Sequence, residues 1–561
     1  MTKQTCKMCE KDFEMGDDDL SFYEKIKAPN PNYCPECRVK RRLAFRNERT
    51  LYRRNCSMSG KSMISIYPEN TPFPVYDQHI WWGDDWDASS FGQDYDPNRK
   101  FFDQYLELRN KVPRISLLNI NGVDSDYVNN SEDNKSCYLI FAAQKNEDSM
   151  YGRLVYRNRF SVDSDFIMDS ELCYECIDCR KCYNCLFIDN SEATTDSMLS
   201  YDLKDCQNCI LCTNLRHKKF HILNKPVSKE EFETKKKEIL SSYSNLQKAK
   251  EEYETIRQKA IVKFSHQVRC YSSTGDYMYN CHEVYSGFDT ENSKNCKYTA
   301  DAEGTIDCWD MNNTYYKPEL NLDVMGALQT FNVKHCIYTM YTSHAEYSDS
   351  LHNCENCFGC IGLKKKKYCI LNKQYGKEEY EKLKKIIIEN MKKEGTYGDF
   401  LPPSLSPFGY NETLGFSYYP MNQEEAVKKG FNWQEQTTGT YGKETIKESE
   451  MPSGVEEISD SITSEILVCK DCKKNFKITE AELSFYKRMG LPLPHKDFEC
   501  RHQDRMKKRN PRQLWPRSCM CKNENHHNHD GGICKEKFET TYSPDRKEII
   551  YCESCYQQEV E

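Results

Sequence analysis

No stretch of the 561 residues approaches the roughly 20 consecutive apolar residues of a membrane span. The first residues, MTKQTCKMCEKDFE, lack the apolar core of a secretory signal. Positive charge is not in excess. The formal charge is −8, which excludes a uniformly basic nucleic-acid binder and leaves room only for local basic sites. There is no Walker loop, no dinucleotide fingerprint and no HExxH pair, and nothing nominates a nucleophile or a base. The expectation is a binding protein rather than an enzyme, with no membrane association and no small-molecule substrate.

What the chain has is cysteine, 31 of them, together with 38 Tyr and 25 Phe. That many aromatics excludes wholesale disorder. Secreted disulfide scaffolds are short, whereas this chain has length for about three or four domains. Reduced cytoplasmic thiols gathered by metal are therefore the expectation.

Two internal duplications organise the chain. Residues 6–56 align with 469–519 without a gap, at an offset of 463, and about two positions in five are identical. DCQNCILCTNLRHKKFHILNKPVSKEEFE (205–233) aligns with NCENCFGCIGLKKKKYCILNKQYGKEEYE (353–381), at an offset of 148. In both, a cysteine ladder leads through a strand into a helix. Ser228 and Glu231 form a capping-box pattern, followed by Phe232, Ile239, Tyr243, Leu246, Tyr253, Ile256 and Ala260 at helical spacing. The segments before these helices are short Tyr/Phe/Ile/Val runs with cysteines such as Cys296 and Cys308 at 11–12-residue intervals. That spacing predicts a β-solenoid or a stack of hairpins. Residues 67–114 are aromatic and acidic and are expected to cap it. Residues 434–465 read as a flexible acidic linker.

Cys6-x2-Cys9 with Cys34-x2-Cys37 has the spacing of a structural zinc site, two thiolates from each tight turn. In the second copy Cys469, Cys472 and Cys500 align with three of these, but Asp497 replaces Cys34. Asp497, His495 or His502 could supply the fourth ligand, and a three-thiolate site completed by oxygen or nitrogen is favoured. Beyond it lie Cys519, Cys521, His526, His527, His529, Cys534, Cys552 and Cys555. Cys519, Cys521, Cys552 and Cys555 make the simplest four-thiolate site, with His529 and Cys534 as spare ligands. Two or more zinc ions are expected. The central run Cys173, Cys176, Cys179, Cys182 and Cys185 leaves three readings open: structural thiols inside the solenoid, a thiolate-bound metal, or an iron–sulfur redox centre. Its steps differ from the ferredoxin spacing.

From Arg38 to Arg54 there are eight Lys/Arg and one Glu, a local charge of +7. Arg38, Arg42, Arg46, Arg49 and Arg53 step along one helical face, and Arg501, Arg505, Arg509 and Arg512 keep the steps, with Pro511 ending that helix near Asn510. One reading is a phosphate-facing stripe that binds RNA, DNA or a ribosome. The other is internal pairing, with the acidic 84–107 segment as partner, in a protein–protein scaffold.

The segment TCKMCEKDFEMGDDDLSFYEKIKAPNPNYCPECRVKRR resembles the treble-clef zinc-binding domain at Cys6, Cys9, Phe13, Phe22, Tyr23, Cys34, Cys37 and Arg38. The whole chain, with SPFGYNET (406–413) and SPDRKEIIYCESCY (543–556), resembles a group of cysteine-rich zinc-ribbon proteins from uncultivated small-genome bacteria of the candidate phyla. The resemblance implies zinc at Cys6, Cys9, Cys34 and Cys37 and brings no activity with it. The expected fold is α+β, mainly β and multidomain, with treble-clef or zinc-ribbon modules at both ends of a two-part cysteine-rich β-solenoid with helical braces. The expected units are a treble-clef-like module (1–60), an aromatic extension (61–114), a first solenoid half (115–227) and a helix (228–262). A second half (263–375), a helix with the SPFGYNET segment (376–433), the linker (434–465) and a C-terminal zinc module (466–561) follow.

Overall fold

From Asn121 to Leu223 almost every third residue holds a left-handed backbone conformation. Such a conformation costs an L-residue about 1–3 kcal/mol and persists only where the surroundings fix it. Here parallel ladders fix it. Arg153 pairs with Asp165, and Asp165 with Ile177, so the chain returns to register every 12 residues. Asp and Asn recur at the left-handed positions (Asp163, Asp169, Asp178, Asn184, Asn190), where short polar side chains are tolerated best.

The computed structural model describes residues 2–435, 439–526, 529 and 532–561. It is a mixed α/β, multidomain assembly of large sheets with cysteine clusters at both ends. A 12-stranded first sheet runs from Asn119–Ile120 to Lys225–Pro226 and is parallel except for its closing hairpin. An 8-stranded second sheet runs from Gln267–Val268 to Ile337–Met340, and four further strands continue to Lys373–Gln374. Cys296 and Cys308 are register partners there. Among the described residues no helix is long and apolar enough to cross a membrane.

The helix expected over 228–262 is two helices, Lys229–Leu240 and Tyr243–Arg257. The capping box of Ser228 and Glu231 starts the first. Ser242 breaks the run because its hydroxyl accepts from the Asn245 N–H and starts a new N-terminus. Helix Lys377–Lys393 braces the second sheet through Tyr380, Ile387 and Met391. The aromatic extension packs there too, with Phe101 5.3 Å from Phe358 between ring centres. The stretch expected as a flexible linker is mostly exposed where it is described, with Ile458 and Ile462 buried in the core shared by the first sheet and the last module. Residues 436–438 of it lie outside the described residues.

The duplicated modules have matching elements. Hairpin Thr2–Thr5/Asp12–Met15 carries Cys6 and Cys9 in its turn, and helices Asp17–Lys25 and Pro35–Leu43 follow. The second copy has Leu467–Val468/Asn475–Phe476, Glu480–Met489 and Phe498–Met506. The two Arg stripes do not each lie on one helix. The first helix stops at Leu43, because the Asn47 side chain closes a turn by bonding the Thr50 N–H and C=O, both at 2.9 Å. The second stops at Met506, short of Asn510.

The modules dock crosswise. Phe22 of the first stacks on Trp309 of the second sheet at 3.9 Å, and Asp19 accepts from the Trp309 indole N–H at 2.9 Å. In the last module the equivalent Phe485 packs against Tyr174 of the first sheet, and the equivalent Glu482 accepts from the Tyr151 hydroxyl at 2.9 Å.

Candidate metal centres and the buried arginines

Cys6, Cys9, Cys34 and Cys37 bring their four sulfurs within 4.8 Å of one another. Cys6 and Cys9 come from the hairpin turn, and Cys34 and Cys37 from the first turn of helix Pro35–Leu43. The Cys9–Cys34 sulfur separation is 3.7 Å. A tetrahedron with zinc–sulfur bonds of about 2.3 Å has an edge of about 3.8 Å, so the thiols stand where a zinc ion would hold them. The hydrogen bond from Cys37 draws the Cys34 thiol down to about 5 against the opposing effect of burial, and Cys37 is pushed up in turn.

In the second copy Cys469, Cys472, Asp497 and Cys500 form the matching group. Asp497 caps helix Phe498–Met506 by accepting from the Glu499 and Cys500 N–H groups with one oxygen. Its other oxygen accepts from the Cys472 thiol at 2.8 Å. Burial pushes the Asp497 carboxyl up, but the thiol hydrogen bonds outweigh that and hold it below the ordinary carboxylate range. The alternative fourth ligands are engaged elsewhere: His502 sits 3.0 Å from Asp165, and His495 stacks on Tyr243.

The last cluster differs from the expected one. Cys534, not Cys521, joins Cys519, Cys552 and Cys555. The antiparallel register Ser518↔Lys537 brings Cys534 beside Cys519. Cys521 instead groups with His526, His529 and Cys555. His527 lies outside the described residues. His526 was not among the expected ligands, because a ligand role for it depends on how the chain folds back onto Cys521.

Cys173, Cys176, Cys179, Cys182 and Cys185 each follow a left-handed residue and point into the first sheet's interior, where all five are buried. Their thiols donate along the chain. Cys179 reaches the Ile177 carbonyl at 3.2 Å and the Ile188 carbonyl at 3.5 Å, and the other four repeat the pattern. The hydrogen bond with Cys176, then burial, holds Cys173 well above the ordinary thiol range, and burial with the Cys182 hydrogen bonds does the same for Cys179 and Cys185, while those bonds draw Cys182 well below it.

Of the two readings left open for the arginine stripes, the structure has them facing inward and pairing within the chain. Arg38 pairs with Asp310 at 2.9 Å, and Arg42 with Asp310 and Asp323 at 3.1 and 2.6 Å. Arg46 meets Glu48 at 2.6 Å, and Arg49 meets Glu499 at 2.9 Å. Arg501 and Arg505 hold Asp163, each at 3.1 Å, and Arg505 holds Asp165 at 2.7 Å. Arg509 holds Asp178 and Asp289, while Arg512 holds Asp289 and Asp301. Apart from Glu48 and Glu499, these carboxylates come from the central sheets rather than from the 84–107 segment. Of the nine arginines only Arg53 is exposed, donating to the Tyr127 hydroxyl.

Between the two sheets lies a cleft of about 270 Å³ that sequence reasoning missed. Tyr156, Tyr277, Tyr279, Tyr315, Tyr316 and Tyr338 line it, with Glu132, Glu291 and Glu303. The Tyr338 hydroxyl and Oδ1 of Asn313 are buried there without a hydrogen-bond partner. These residues are scattered over the sequence, and only the facing of the two sheets assembles them.

No protein-family model and no curated protein matches the sequence. Among solved structures, one described as a candidate acetyltransferase from Desulfovibrio desulfuricans G20 covers 46 % of this chain and 68 % of its own, at 7 % identity and a TM-score of 0.11. A likeness that slight carries no argument about fold or activity.

Proposed function

We propose that this chain is a non-enzymatic, zinc-dependent scaffold that binds a protein partner in a reducing, cytoplasmic setting. Its ends are read as treble-clef-like and zinc-ribbon modules, and its centre as a two-part β-solenoid coiled in 12-residue turns. The observation that carries the reading is the employment of the arginine stripes. Eight of their nine guanidiniums pair with carboxylates inside the molecule, and six of the eight hold carboxylates of the central sheets, so they act as keys that lock the modules onto the sheets. A phosphate backbone would have to displace those carboxylates, which disfavours an RNA, DNA or ribosomal partner on this face. The ladder thiols are likewise engaged as hydrogen-bond donors, which disfavours the redox reading.

Two measurements on the full chain test the proposal. Metal analysis of protein purified under reducing conditions should find zinc, with Cys6→Ser losing one ion. Titration with a generic single-stranded RNA should give no binding whose affinity falls steeply with salt. A steep salt slope, of the kind that release of several phosphate counterions produces, would replace the protein-scaffold reading with a nucleic-acid one.

A further inference from the structure

Cys555 belongs to two groups at once. Its sulfur lies within 4.8 Å of those of Cys519, Cys534 and Cys552, and equally within 4.8 Å of ligand atoms of Cys521, His526 and His529. Seven side chains thus make two four-atom shells with one sulfur in common. A thiolate has lone pairs enough to bind two ions. We infer that the C-terminal module holds two zinc-class ions joined by a bridging Cys555 thiolate. This rests on the zinc-dependent reading above and specifies its chemistry at this end.

Three observations carry it. First, His526 is arranged as a metal-binding imidazole. Its Nε2 lies 3.1 Å from Oε2 of Glu559, while its Nδ1 faces the Cys521 sulfur at 3.3 Å. A carboxylate on the far nitrogen fixes the tautomer and leaves the near lone pair for the ion. Second, both ring nitrogens of His529 are buried without a hydrogen-bond partner. An unpaired buried polar group is unfavourable, and a bound cation would satisfy one of them. Third, the charges nearly balance. Five thiolates and two neutral imidazoles around two divalent ions leave one negative charge over seven ligands. The position of Cys555, on helix Glu553–Val560, places both shells at the start of the element that returns to the first sheet through Tyr556 and Asp202.

The test loads the full chain with cadmium-113, a zinc substitute that nuclear resonance detects, and counts bound ions by native mass spectrometry. The parent should show two resonances from this module split by each other, the signature of ions sharing one sulfur. His529→Ala and Cys521→Ser should each bind one ion fewer and collapse the pair to a single unsplit line. Two unsplit lines in the parent would mean separate sites. An unchanged ion count in both variants would mean a single ion. Either result overturns the bridge while leaving zinc dependence intact. A parent that takes up no cadmium at either end would overturn the zinc-dependent reading itself.

Discussion

Arg153 of the first sheet donates from Nε to Oε2 of Glu48 in the first module at 2.7 Å, and both side chains are almost completely buried. The contact is one link in a chain. Glu48 also accepts from Arg46 at 2.6 Å, and Arg153 reaches Asp301 of the second sheet at 3.3 Å. Asp301 pairs with Arg512 of the last module, which with Arg509 holds Asp289. Both sheets and both cysteine modules therefore meet through buried charged side chains. Buried pairs add little net stability compared with apolar packing, but breaking one strands a charge.

The first prediction follows. Glu48→Gln leaves Arg46 and Arg153 facing a neutral group and should cost about 3–5 kcal/mol in urea unfolding, whereas removing an exposed pair such as Lys135–Glu147 should cost under about 1 kcal/mol. Equal effects would mean that the network does not hold the parts together.

The same carboxylate sets a pH dependence. Burial alone pushes Glu48 up, but the Arg153 and Arg46 guanidiniums outweigh it and hold it at about 2, well under its unfolded value. A group depressed on folding contributes stability that is present above the unfolded pKa and is lost as pH falls through the folded one. The stability difference between the parent and Glu48→Gln should therefore hold from pH 7 to about 5 and shrink between about 4.5 and 2. Taking the difference cancels acid effects that the two proteins share, release of any bound metal included. A gap that stays constant down to pH 2 would show that Glu48 is not ionised in the folded protein.

Much of this was legible beforehand where it depended on local pattern. The duplication at an offset of 463 shows on aligning the chain with itself, and the paired Cys-x2-Cys turns and the Ser228–Glu231 cap are each written within a few residues. What long-range contact decides was not. The stripe from Arg38 to Arg53 suits a phosphate or internal carboxylates equally, and only Asp310 and Asp323, some 270 residues away and paired with Arg42, decide between them. Cys534 displaces Cys521 from the four-sulfur group only because two strands pair. The three-residue step from Cys173 to Cys185 suits buried structural thiols and a metal alike, and only the carbonyls beside each sulfur distinguish the two.

That distinction gives a third prediction. Cys179→Ala removes a thiol that donates to two carbonyls and leaves a small hole, so it should cost about 1–3 kcal/mol while the metal content stays unchanged. In the native protein Cys173 to Cys185 should resist alkylation by iodoacetamide, since all five thiols are buried out of the reagent's reach. Loss of an ion in Cys179→Ala, or rapid alkylation of the native ladder, would return the central thiols to metal or redox chemistry.

Asp497 combines a helix cap with a place in a candidate metal site. One oxygen accepts the Glu499 and Cys500 N–H groups, and the other faces Cys472. In the first module Cys34 occupies the same place and makes no side-chain cap. The aspartate thus favours the helix without an ion, and the cysteine favours the ion. Asp497→Cys should complete four thiolates and raise zinc affinity at this site, while lowering the stability of the metal-free protein by about 1 kcal/mol, the usual worth of a lost cap. Asp497→Asn should keep the cap and weaken the metal. Competition with a chromogenic chelator reads the affinity, and urea unfolding in excess EDTA reads the cap. If Asp497→Cys binds zinc no more tightly than the parent, then Cys469, Cys472 and Cys500 do not form a metal site, and Asp497 is a helix cap alone.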